Sequence, residues 1–223
     1  LAYPMNIKGW GNLCTLLSTG NLRAEKGECH LYKADVFQYS QDLQFIVLPP
    51  ETLNEDFYFN TSFEKELSTY KEVFGNSFSI AISRRYHGDD VKQLYRLFQL
   101  SKEFSIPLAT TNDVHYHCPQ RRQLQDVLTC IREKCTIHNA GFKLLPNAER
   151  YLKSQEEIIR LFRQYPNALH RTIEIAETCQ FSLDELKYEY PEEITTSGRT
   201  PQQEVEYLAW EGAKKFFGEP LPK

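Results

Sequence analysis

Apolar residues along this chain follow two rhythms in alternation. Residues 43–48, LQFIVL, form a short run closed by Pro49-Pro50, which predicts a buried strand with a hard stop. Over 61–74, Phe63, Leu67, Tyr70 and Phe74 recur at spacings of four, three and four, the period of a helix with one apolar face. FSIAI at 78–82 predicts a second strand. Gly88-Asp89-Asp90 then breaks the chain, and either aspartate can cap a helix over 90–104. In that helix Val91, Leu94, Leu97, Phe98 and Leu100 lie mostly on one side. IPLATT at 106–111 predicts a third strand. Strand, helix, strand, helix, strand with short connections is the α/β signature of parallel pairing.

The flanks read differently. Residues 7–12, IKGWGN, lead into Leu13, Leu16 and Leu17 on one helical face, with so little preamble that residues are expected before Leu1. Residues 121–133 read as a helix carrying Leu124, Val127, Leu128 and Ile131. Ser154 and Glu157 form a capping-box pattern opening a helix to about Gln164. Pro166 suits the first turn of another helix, running to about Cys179 with Leu169, Ile173 and Ala176 inward. Residues 188–200, polar and containing Pro191 and Gly198, read as a linker. A last helix over 201–217 carries Val205, Leu208, Ala209 and Ala213.

Composition narrows the class without naming it. At 223 residues, 41% hydrophobic and 25% charged, the chain has the make-up of a globular protein with a real core. No apolar run approaches the roughly 20 residues of a membrane helix, and the N-terminus lacks the charged and apolar regions of a secretory signal. A formal net charge of −4 argues against an unspecific nucleic-acid binder, though not against an enzyme with a local basic groove. The six cysteines contain no C-x-x-C pair and are too sparse for a disulfide scaffold, so reduced thiols in the cytoplasm are expected. P-loop, dinucleotide-binding and nucleophile-elbow signatures are absent.

Two segments carry candidate chemistry, and both follow predicted strands, where α/β folds collect their sites. Asp113 and His115 stand two apart, so in a strand they project together. A carboxylate beside an imidazole suits Zn²⁺, Mn²⁺ or Fe²⁺; the plainer alternative is a histidine hydrogen-bonded to its aspartate. His117, beside Cys118-Pro119, fits a supporting or surface position. The second segment is RRYHGDD at 84–90. There His87 is a candidate metal ligand and Arg84 or Arg85 a candidate phosphate holder, against the plainer alternative of a solvated charged loop. His30, His138 and His170 are scattered, and Arg121-Arg122 fits either a phosphate backbone or a helix surface.

These residues resemble a family. ATTNDVHY at 109–116 followed by LQDVLTCIR at 124–132 is similar to the end of the PHP (polymerase and histidinol phosphatase) domain of bacterial C-family DNA polymerases, the DNA polymerase III alpha subunits. KGWGNLC at 8–14, NAERYLKS at 147–154 and FSLDELKY at 181–188 fit the same family, and the runs 124–132 and 181–191 look most like its error-prone branch. The resemblance implies a distorted (β/α)7 barrel, incomplete at its N-terminus and extended by C-terminal helices. Residues 1–182 would be the PHP portion, and 183–223 a connector and the start of the palm. It implies a divalent metal (Zn, Mn or Mg) at Asp113 and His115. Earlier family ligands would lie before Leu1. Ser83 and Arg85 stand where the family often has Glu and His, which puts a complete cluster in question. DNA, deoxynucleoside triphosphates, the sliding clamp and other replisome subunits are the implied partners of the parent polymerase. Its palm would perform nucleotidyl transfer. The PHP portion would then be either a metal-dependent phosphoesterase or 3′–5′ exonuclease, or a degraded module for docking. A free-standing phosphoesterase of small metabolites fits poorly with the 139–223 tail.

Overall fold

The computed structural model describes residues 1–187, 195 and 198–219. It divides into two units, Leu1–Glu185 and Leu186–Lys223. The expected linker at 188–200 falls largely outside the described residues.

The first unit is a mixed α/β layer structure. Its sheet has four strands in the order β1 (Ala2–Pro4), β2 (Leu43–Val47), β3 (Phe78–Ile82) and β4 (Leu108–Thr110). β2, β3 and β4 run parallel, while β1 lies antiparallel on the outer edge of β2. The helices α3 (Thr61–Phe74) and α4 (Asp90–Glu103) make the two crossovers, as the sequence rhythm predicts. The closed seven-stranded barrel implied by the resemblance is not what the described residues build. β1 and β4 are the sheet's two edges, and nothing described joins them.

Strand alternation divides the core in two. Phe45, Ile80, Ile82 and Leu108 face Phe63, Leu67, Leu94, Leu97 and Leu100 of α3 and α4. On the other face, Ile46, Ala81 and Ala109 meet Ile175 of α7 (Pro166–Thr178). Two alanines there let α7 lie close along β4. Arg171 locks the helix in rotation, donating to Ser79 Oγ at 3.0 Å and to the Asn76 carbonyl at 2.8 Å. The buried stripe is therefore Ala168 and Ile175, with Ile173 52% exposed, a turn of about one residue from the expected inward face.

Local details follow from particular residues. α1 (Ile7–Arg23) is capped by Asn6 and meets the 42–43 corner so closely that a Cβ on Gly9 would sit 2.1 Å from the Asp42 carbonyl oxygen. α2 (Lys33–Gln38) escaped the sequence reading, being too short for periodicity; a bidentate Arg23–Asp35 pair ties it to α1. Ser154 caps α6 (Gln155–Leu161), but Glu157 accepts from the Tyr151 hydroxyl at 2.5 Å rather than closing a capping box. α5 (Arg122–Arg132) follows the strand-end loops. In the second unit, α8 (Pro201–Phe217) opens on a complete capping box from Thr200 and Gln203.

Candidate functional site

The ends of β3 and β4 release two loops toward the same side of the sheet, and a third segment, 147–153, straps both. Asn147 Nδ2 donates to the Arg85 carbonyl at 2.7 Å. The Arg150 carbonyl accepts from His115 N at 2.8 Å, and Leu152 N donates to the Tyr116 carbonyl at 3.1 Å. Asn112 Nδ2 donates to the Tyr151 carbonyl. Tyr116 and Tyr151 form an isolated parallel bridge. Backbone groups left free where the strands stop are satisfied by this strap rather than by further strand.

Asp113 and His115 do meet, but not by strand alternation. β4 stops at Thr110, and Asp113 takes a positive φ of 45°, a conformation that aspartate tolerates better than most residues. That bend folds the loop back and sets Asp113 Oδ1 3.8 Å from His115 Nε2.

Two guanidiniums occupy the remaining valences of the pair. Arg150 Nη2 lies 3.0 Å from Asp113 Oδ2, and Arg85 Nη2 lies 3.5 Å from the same oxygen. Arg150 Nη1 lies 3.0 Å from His115 Nε2. A guanidinium only donates, so Nε2 is the acceptor and the ring proton sits on Nδ1. Both arginines are mostly buried, at 12% and 16% side-chain exposure, and both also approach the exposed carboxylate of Glu51, at 3.9 and 3.3 Å. Asp113 Oδ2 is thus already ion-paired with both guanidiniums, and His115 Nε2 is hydrogen-bonded to one of them, at the atoms a metal would need. Among the described residues, no group of three or more His, Cys, Asp or Glu side chains is placed to hold a metal ion. Two donors facing two guanidiniums do not fit a divalent cation.

Of the other candidates, Arg84 turns away and donates to the Leu161 carbonyl at 3.4 Å. His87 is exposed and lies outside the cluster. Its neighbour Tyr86, at φ 55°, donates its amide to Asp90 Oδ2 at 2.7 Å, and this turn carries the following side chain outward. Arg150 and Glu51 were not singled out from sequence. The available signal was NAERYLKS as a motif, which marked the segment without revealing which of its residues faces inward.

No family model matches the chain. It is 43% identical over 217 residues to an error-prone DNA polymerase of Rhodopseudomonas palustris (strain BisB5), covering 97% of this chain and 19% of that protein. It is 42% identical over 214 residues to an error-prone DNA polymerase of Caulobacter vibrioides, covering 96% of the chain and again 19% of the relative. Error-prone DNA polymerase 1 of Agrobacterium fabrum matches all of the chain at 41% identity, over 20% of its own length. The chain spans about a fifth of the length of these curated relatives. No helix among the described residues is long and apolar enough to cross a membrane.

Proposed function

We propose that this chain is the PHP-type accessory region of an error-prone DNA polymerase, and that its strand-end site is an arginine-braced structural element supporting docking. The parent would carry out template-directed nucleotidyl transfer on DNA with deoxynucleoside triphosphates. Polymerising carboxylates would lie in its remaining chain, with the sliding clamp and replisome subunits as partners in the cytoplasm. Near-complete coverage of this chain by polymerase relatives supports the parentage. The open four-stranded sheet would be a portion of the barrel that the resemblance implies.

One observation carries the reading of the site: Arg150 donates to His115 Nε2 while pairing with Asp113 Oδ2. A fixed guanidinium supplies positive charge where a cation would otherwise stand, and its planar fork holds two loops in register. A second reading, metal-dependent phosphoester hydrolysis, is favoured by the 3.8 Å approach of Asp113 to His115, and it requires Arg150 to leave.

Metal titration of the chain with Zn²⁺, Mn²⁺ and Mg²⁺, paired with Asp113→Ala and Arg150→Ala variants, separates the two. The brace predicts no stoichiometric metal in the native chain, no change in thermal midpoint with chelator, and a loss of about 1–3 kcal/mol for Arg150→Ala. One metal per chain, abolished by Asp113→Ala, would establish the hydrolytic reading.

A further inference from the structure

Helix α5 is mounted inside out. Its inward side carries small and polar residues: Thr129 and Cys130 are buried, Arg122 pairs with Asp126 at 3.6 Å, and Arg122 Nη2 donates to the Leu145 carbonyl at 2.7 Å. Its outward side is apolar: Leu124, Val127, Leu128 and Ile131 are 50%, 48%, 53% and 68% exposed. These four recur at i, i+3, i+4 and i+7, so they form one continuous stripe. Single exposed leucines are ordinary, but a stripe over two turns marks an interaction surface. The stripe cannot roll inward without breaking the Arg122 contacts.

At its N-terminal end the stripe borders a groove of about 230 Å³ between α5 and the 115–117 segment, lined by His115, Tyr116, His117, Arg121, Leu124 and Leu128. The margins are cationic. Exposed Arg121 has no acidic partner among the described residues, and Arg132 shares Glu133 with Lys143 at the other end.

We propose that α5 is a docking surface for an amphipathic helix of another protein segment, one whose apolar face is edged by carboxylates. Charge selects this occupant over a second copy of the chain. Antiparallel pairing of two α5 helices brings the Arg121 end of one copy against the Arg132 end of the other. Parallel pairing brings Arg121 ends together. Like charges meet in both arrangements. A helix laid in a groove through i, i+3, i+4 and i+7 anchors is a standard recognition mode. This inference rests on burial and charge, and stands whether or not the chain belongs to a polymerase.

The test uses two dye-labelled synthetic peptides of about 20 residues, long enough to be helical. Both carry leucine at the matching spacing, one flanked by glutamate and one by lysine. In anisotropy titrations the glutamate-flanked peptide binds, and the lysine-flanked one binds at least about tenfold more weakly, a difference of about 1.4 kcal/mol. A Leu124→Glu/Leu128→Glu variant loses binding while keeping its circular dichroism and thermal midpoint. Failure of the glutamate-flanked peptide to bind, or equal binding of both peptides, overturns the proposal. So does a lowered midpoint in the double variant, which would place the stripe inside the fold. Self-association of the native chain that Leu128→Glu abolishes would make a second copy the occupant.

Discussion

Helices α5 and α7 share a periodicity and oppose each other in orientation. Both are a little over ten residues long, and both carry apolar side chains on one face. α7 turns Ala168 and Ile175 onto the sheet, whereas α5 turns Leu124, Val127, Leu128 and Ile131 away from the protein. The difference lies in the polar residues. Arg171 fastens α7 to Ser79 of β3 and to Asn76 just before that strand, which turns Ala168 and Ile175 onto the core and leaves Ile173 outside. Arg122 fastens α5 to the Leu145 carbonyl from the helix's polar side, which throws the stripe outward. Hydrophobic period reports that a stripe exists; where it points is decided by which long polar side chain finds an acceptor.

The sharpest test of this contrast is a matched pair of truncations. Ile175→Ala should cost about 2–4 kcal/mol in urea denaturation, since truncating a buried isoleucine enlarges the space it leaves in the core, while Leu128→Ala should stay within about 0.5 kcal/mol. Equal costs would break the comparison. Next in size is the anchor itself. Arg171→Ala should lose about 1–3 kcal/mol, because Ser79 is wholly buried and the Asn76 carbonyl loses its donor. Smaller, and of opposite sign, is Lys134→Gly. The C-terminus of α5 closes with Cys135 N donating to the Cys130 carbonyl at 2.9 Å and Lys134 N to the Ile131 carbonyl at 3.2 Å, the paired bonds of a Schellman ending. Lys134 sits at the left-handed position of that ending with φ 52°, where glycine is relaxed, so the variant should gain about 0.5–1 kcal/mol.

A last, smaller effect concerns a polar anchor elsewhere. The Arg23 guanidinium, helped by the Tyr32 amide, holds the Asp35 carboxyl down at about 2, below its ordinary 3.8. The folded state therefore binds this proton less readily than the unfolded chain. Stability from the pair is fully present above pH 4 and is lost as pH falls toward 2. Asp35→Asn should flatten the acid limb of the stability curve in that window, and an unchanged slope would remove the pair from the account.

The same division explains what the sequence made legible. Strands 43–47 and 78–82 and helix 61–74 were readable because burial there depends on apolar spacing alone. The rotation of α7 was not, since Arg171 reaches acceptors more than ninety residues earlier in the chain. β1, three residues long, carries too little pattern to register. At the site, Asp113 and His115 stand out as candidate metal ligands and Arg85 as a candidate phosphate holder by residue type and position, and the structure brings the three side chains together, but the strand geometry expected to align the first two is absent. A positive φ at Asp113 performs that task, and no spacing rule announces it. Arg150 remained hidden because its meaning depends on a strap that only long-range pairing brings home.

That strap has a consequence for how the molecule is made. Asn147 holds Arg85 across 62 residues, and Asn112 holds the Tyr151 carbonyl across 39. During synthesis the sheet's three parallel strands are complete once Thr110 has left the ribosome, yet the loops beyond β3 and β4 have no closure until residues 147–153 have also emerged. The nascent chain thus carries its three parallel strands with an open rim for some forty residues of elongation; the rim seals late, and the sheet face that α7 covers is closed later still.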